Sequence, residues 1–142
     1  MIALASDHAG FEFKEQIKAL LTELGQQYTD FGTHDTDSTD YPDWGHAAAD
    51  AVSSGRCHFG ILVCGTGIGM SIVANKHKGV RAAVCTNSTQ ARLARAHNDA
   101  NVLTVGQRIS GWEPVRDIVQ TFLSTPFEGG RHQRRVDKSE RQ

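Results

Sequence analysis

Short apolar runs and amphipathic stretches alternate along the whole chain. Residues 1–5, 28–31, 60–64, 81–85 and 102–105 are brief apolar runs bounded by polar or turn residues, the pattern of buried strands. Between the first two runs, Phe13, Ile17, Leu20, Leu21 and Leu24 recur at helical spacing, and Gly25 follows as a stop. The alanine-rich segment 44–53 predicts a second helix, residues 68–76 a third and residues 88–96 a fourth, with a cap available in 86–88. A last long helix is predicted over 112–123, with Pro114 in its first turn, where proline is tolerated. Regular strand–helix alternation implies a parallel sheet covered on both faces, a three-layer, Rossmann-like α/β domain with five strands. Sheets of this kind bind ligands at the carboxyl ends of their strands, which groups Asp7 and His8, residues 64–71, Thr86 and residues 106–108.

Composition narrows the class without changing the pattern. A chain of 142 residues suits one domain with a proper core, and residues 1–142 are expected to form a single unit. The formal net charge of −1 gives no general attraction to nucleic acid or to a membrane surface, and no apolar segment reaches the roughly 20 residues of a span. The first residues lack a charged leader and read as a strand, so no signal peptide is expected. Cys57, Cys64 and Cys85 form no C-x-x-C pair and are odd in number, which predicts reduced thiols and a cytoplasmic protein. The end of the chain, 128–142, is a polar, basic tail set off by Gly129 and Gly130.

The third apolar run ends in Cys64-Gly-Thr-Gly-Ile-Gly69. Glycines at a strand-to-helix turn let a ligand approach the backbone, and N–H groups at the helix start attract negative charge. Cys64 stands at the rim of this cradle, where a thiolate is stabilised, and an inert buried thiol is the alternative reading. The spacing excludes three relatives. A dinucleotide fingerprint fails because Met70 or Ile72 falls where the third glycine belongs. A P-loop needs Gly-Lys-Ser/Thr where the chain has Gly-Met-Ser, and a cysteine phosphatase needs an arginine that the loop lacks. The acidic loop 34–43 is not a calcium loop: counted from Asp35, its sixth and twelfth positions hold Asp40 and His46 instead of glycine and glutamate. The seven histidines show no metal-binding spacing.

Other groups carry two readings each. Asp7 and His8 fit a helix cap or a ligand contact at a strand end. His97, followed by Asn98, fits a favourable charge at a helix C-terminus or a general acid. Arg131 and Arg135 share a face if the tail is helical and would then make a phosphate clamp. An anion cradle, a base, an acid and a clamp together suit proton transfer on a small phosphorylated substrate.

Six blocks carry a resemblance over nearly the whole chain: Ser6-Asp-His-Ala-Gly10, Thr39-Asp-Tyr-Pro42, Cys64-Gly-Thr-Gly-Ile-Gly69, Ala74-Asn-Lys76, His97-Asn-Asp-Ala-Asn101 and Glu128-Gly-Gly-Arg-His132. In them the chain resembles the sugar-phosphate isomerase family of ribose-5-phosphate isomerase B and the galactose-6-phosphate isomerase subunits. The resemblance implies an aldose–ketose isomerase of the pentose phosphate pathway, interconverting D-ribose 5-phosphate and D-ribulose 5-phosphate through an enediolate. It implies Cys64 as the base, Thr66 as an aid to proton shuttling, and His97 as the ring-opening acid supported by Asn98 and Asp7. Gly65, Gly67, Ile68 and Gly69 would hold the enediolate, with Tyr41, Ser71 and Arg108 also at the substrate. His8, Arg131 and Arg135 would bind the phosphate. It further implies no metal and no organic cofactor, and a homodimer or dimer of dimers whose active sites draw on both chains, the 128–142 tail packing at the dimer interface. Some relatives carry a glutamate base a few residues downstream; residues 72–75 contain no acid, which favours the cysteine. A relative acting on a six-carbon sugar phosphate such as allose 6-phosphate or galactose 6-phosphate is the nearest alternative, and a non-catalytic sugar-phosphate sensor a more distant one.

Overall fold

The computed structural model describes residues 1–140; Arg141 and Gln142 of the expected tail lie outside the described residues. Strands β1 (Ile2–Ser6), β2 (Tyr28–Asp30), β3 (Phe59–Cys64), β4 (Ala82–Val84) and β5 (Val102–Gly106) form one parallel sheet in the order β2-β1-β3-β5-β4. Helices α1 (Phe11–Glu23), α2 (Tyr41–Ser53), α3 (Ile68–Ala74), α4 (Ser88–Asn98), α5 (Trp112–Ser124) and α6 (Arg131–Ser139) connect and flank it. All five strands fall where the apolar runs predicted them. The caps are local chemistry: Asn87 Oδ1 accepts from the Gln90 N–H at 2.8 Å to start α4, and Gly25, at φ +70°, ends the first helical stretch. Helix α2 begins three residues before the expected position, because Pro42 fits its first turn. No helix among the described residues is long and apolar enough to cross a membrane.

Alternation along each strand sorts the core into two unlike layers. On one face Ile2, Leu4, Ile61, Val63, Leu103 and Val105 meet the apolar stripes of α1, α4 and α5, including Ile17, Ile118 and Phe122. The opposite face is built from small residues: Ala3 and Ala5 of β1 meet Ala48, Ala49 and Ala51 of α2, with Met70 and Ala74 of α3 completing the layer. Cys64 projects into this second layer. Small side chains on both sides let α2 lie close to the sheet, and Gly45 lets it approach α3, where a Cβ would sit 2.9 Å from Met70 Sδ.

Two findings depart from the sequence pattern. The tail is not detached, because Gly129 and Gly130 redirect the chain at positive φ and α6 packs on α4, burying Val136. Lys14 is wholly buried, its Nζ 2.7 and 2.6 Å from the two oxygens of Asp30. Burial pulls the Asp30 carboxyl upward, but bonds from Lys14, the Gly32 N–H and Lys18 outweigh it and hold the group below the usual carboxylate range. Because the folded value is the lower one, the pair's stabilisation is present above about pH 4, the unfolded value, and is lost as pH falls through the folded value. Lys14→Met is expected to destabilise the chain by about 3–5 kcal/mol at pH 7, since it strands a partly buried carboxylate. Urea unfolding of both proteins at pH 7 and near pH 3 measures this, and the gap between them should narrow in acid.

Candidate active site

The carboxyl edge of the sheet gathers one group of the expected residues. Cys64 ends β3 with 4% exposure, and the Gly67 N–H donates to its Sγ at 3.1 Å, which aims the sulfur at the glycine turn. Gly67 takes φ +80°, so the chain can turn sharply into α3. Thr66 Oγ1 accepts from the Ile68 N–H at 3.1 Å, while among the described residues the N–H groups of Thr66, Gly69 and Met70 meet no acceptor. Those unpaired donors beside a thiol make the turn an anion cradle.

Neighbouring backbones hold the cradle in place. The Arg108 N–H donates to the Gly65 carbonyl at 2.9 Å and the Gln107 N–H to the Cys64 carbonyl at 3.0 Å. A Cβ on Gly106 would lie 2.5 Å from the Thr66 backbone, so this approach requires glycine. The Arg108 side chain lies along Gly65, and the Tyr41 ring lies over Gly69, where a Cβ would be 2.8 Å away. Ser71, half-buried in the first turn of α3, donates its N–H to the Gly67 carbonyl at 3.1 Å, and its hydroxyl accepts from Asn75 Nδ2 at 3.5 Å.

Asp7 and His8 join this group from β1. The Asp7 N–H donates to the Val63 carbonyl, one residue before Cys64, and Asp7 Oδ1 accepts from the Gly10 N–H at 3.0 Å. Asp7 is therefore a cap, and it fixes the turn that carries His8. His8 Nδ1 accepts from the Thr39 N–H at 3.2 Å, which leaves the proton of a neutral ring on Nε2. Thr39 in turn accepts from Trp44 Nε1 at 3.0 Å. Thr39 is a positioning residue that chain-order reading left unassigned, although the block Thr39-Asp-Tyr-Pro42 signalled it. Thr86 follows the carboxyl end of β4 at the same edge, where its N–H and hydroxyl both go to Gln90 Oε1.

The remaining expected residues lie elsewhere. Helix α4 runs back from the carboxyl end of β4, so His97 and Asn98 come at the amino edge, where the Asn101 carbonyl accepts from the Gly60 N–H. From Gly60 to Cys64 the strand rises about 13 Å at ~3.3 Å per residue, which separates the two edges. Arg131 and Arg135 are exposed on α6, packed against α4, and pair with nothing among the described residues. At this amino edge the His97 and His132 rings stack at 4.3 Å and 10°, both beside the Glu128 carboxylate. Burial, then the facing His97 and Arg131, hold the His132 ring below its ordinary range. A second histidine pair, His46 and His77, bonds at 2.7 Å on the surface of α2 and the turn after α3.

The other thiols have no such setting. Burial pushes Cys57 up and Cys85 up to about 11, which leaves both unreactive near neutral pH. One chain thus sets a thiol beside unpaired N–H donors at one edge and, at the other, an imidazole near two arginines that pair with nothing among the described residues.

Residues 2–139 match the family model described as Ribose/Galactose Isomerase. The chain is 48% identical over 136 residues to ribose-5-phosphate isomerase B of Escherichia coli (strain K12), covering 96% of this chain and 91% of that protein. It is similar to the solved ribose-5-phosphate isomerase B of Clostridium thermocellum, with TM-score 0.96 and 52% identity over 98% of this chain and 94% of the other. The solved ribose 5-phosphate isomerase of Thermotoga maritima gives TM-score 0.95 and 51% identity over 98% and 96% of the two chains.

Proposed function

The chain belongs to the ribose/galactose isomerase family, and on that premise we propose that it interconverts D-ribose 5-phosphate and D-ribulose 5-phosphate through an enediolate. The observation that carries this reading is a thiol, Cys64, aimed by the Gly67 N–H into a turn with unpaired N–H donors. Cys64 takes the proton from C2 of the opened aldose and returns it to C1, so the carbon-bound hydrogens balance. The negative charge that builds on O1 and O2 meets the cradle of residues 65–69, and the Thr66 hydroxyl helps pass the remaining proton between these oxygens. Tyr41, Ser71 and Arg108 line the sugar chain.

Ring opening needs an acid, and His97 of the same chain stands at the opposite edge. His97 supplies it from a second copy, with Asn98 beside it, while Arg131 and Arg135 of that copy close on the phosphate opposite His8. Support comes from the surface around the cradle: Ile68, Ile72 and Ile109 are 55–59% exposed and Tyr41 is 38% exposed, apolar area that a second copy would cover. A two-fold pairing that sets the amino edge of each copy against the carboxyl edge of the other completes two sites at once, with the 128–142 tail at the boundary. A dimer, or a dimer of dimers, is the functional unit. A base that must stay a free thiol suits the reducing cytoplasm.

The test of the substrate is a comparison of kcat/KM for ribose 5-phosphate with allose 6-phosphate and galactose 6-phosphate. Ribose 5-phosphate is expected to lead by at least about tenfold, the discrimination one extra carbon unit allows in a fitted pocket. Equal or inverted values would move the assignment to six-carbon sugars. Arg135→Ala is expected to raise KM about tenfold or more with little change in kcat, because the phosphate is held equally before and during the reaction. Steady-state kinetics with ribose 5-phosphate would read an unchanged KM as evidence against the clamp.

A further inference from the structure

His97 Nε2 and His132 Nε2 lie 3.8 and 3.6 Å from the same oxygen, Glu128 Oε1. These separations are too long for hydrogen bonds, yet the three ligand atoms all fall within 4.8 Å of one another. Tetrahedral zinc with bonds of about 2.0–2.1 Å needs neighbouring donor atoms about 3.3 Å apart, so both histidine–glutamate separations are within half an ångström of a coordination sphere. The backbones are already tied together: the Glu128 N–H donates to the Ala96 carbonyl and the His132 N–H to the Gly129 carbonyl, each at 3.0 Å. Only side-chain torsions must adjust: the His97 and His132 rings stack at 10°, so one of them swings out of the stack before both in-plane nitrogen lone pairs meet one ion.

We propose that His97, Glu128 and His132 form a binding site for a zinc-type divalent ion, and that its occupancy switches the isomerase off by taking the nitrogen lone pair of His97. Two imidazoles and one carboxylate select borderline ions such as zinc over magnesium or calcium, which prefer oxygen alone. Three protein ligands leave a fourth position for water. Arg131 and Arg135 on the same helix oppose a dication, so the Glu128 carboxylate is the ligand that makes the charge balance acceptable. The inhibitory half of the proposal rests on His97 being the ring-opening acid; the binding half does not.

The two halves are tested separately. Cobalt(II) is titrated into the full chain carrying Cys64→Ala, which removes the competing thiol, and visible absorption is recorded. One equivalent should give the intense band of a tetrahedral nitrogen–oxygen site, displaced by zinc and lost when His132→Asn or Glu128→Gln is added. In the otherwise native chain, saturating zinc should abolish ribose 5-phosphate isomerisation, and Glu128→Gln should raise the half-inhibitory zinc concentration at least about tenfold. Absence of the cobalt band overturns the site. A band with full activity at metal saturation overturns the switch and, with it, the role of His97, while leaving the site standing. Inhibition that is equally strong in both ligand variants places zinc on the Cys64 thiol and overturns the switch.

Discussion

Cys64→Ala is expected to lower kcat for ribose 5-phosphate by about 10³-fold while KM stays within about twofold. A positioned general base contributes about 10²–10⁴-fold; residues 72–75 hold no acid, Asp7 Oδ1 and His8 Nδ1 are engaged by the Gly10 and Thr39 N–H groups, and Cys57 and Cys85 belong to the buried interior. The alanine removes only the sulfur; the Gly106–Thr66 contact and the Arg108–Gly65 bond that shape the cradle remain. Cys64→Ser separates placement from basicity: it keeps an atom for the Gly67 N–H but offers a far weaker base, so it should fall nearly as far as alanine. The direct readout is loss of deuterium from C2-labelled ribose 5-phosphate. Washout near the native rate in Cys64→Ala would end the assignment of the base.

Mixing two dead proteins should restore activity. Cys64→Ala and His97→Ala chains, each inactive alone, are expected to regain about a quarter of native activity when unfolded together in equal amounts and refolded. The expectation follows from the separation of Cys64 and His97 by the length of β3, and the figure from random pairing. About half of the dimers formed at random are mixed, and each has one site with an intact thiol facing an intact imidazole. If the thiol and the imidazole that act together came from the same chain, no mixture would contain a whole site. A refolded mixture as inactive as its parents would therefore refute the shared site, and size-exclusion chromatography would verify that mixed dimers had formed.

The parts legible in the sequence are those encoded by contiguous residues. Strand positions followed from apolar runs because a parallel sheet buries both faces, and the cradle followed from alternating glycines because close backbone approach demands them. Lys14 was not legible by residue type, since lysine seldom enters a core, though its place three before Ile17 and seven before Leu21 put it on the buried side of α1. Its partner, Asp30, comes from a strand, and no helical period reveals that pairing. The same holds for His97 with Glu128 and His132: ligand spacing exists only after α6 docks on α4. The division of expected residues between two edges was also invisible, because chain order does not state in which direction a helix returns.

The unlike layers of the core have a consequence for how this chain tolerates change. Trimming a residue such as Phe122 or Ile118 opens space far from the chemistry, so the loss is felt as a lower melting temperature. The alanine layer has no room to give. A methyl group added at Ala48 or Ala49 must lift α2, and α2 carries Tyr41 over Gly69 at the rim of the cradle. Drift on one side of the sheet is thus recorded in stability and drift on the other in turnover, so the two faces divide between them the tasks of keeping the protein folded and keeping it in tune.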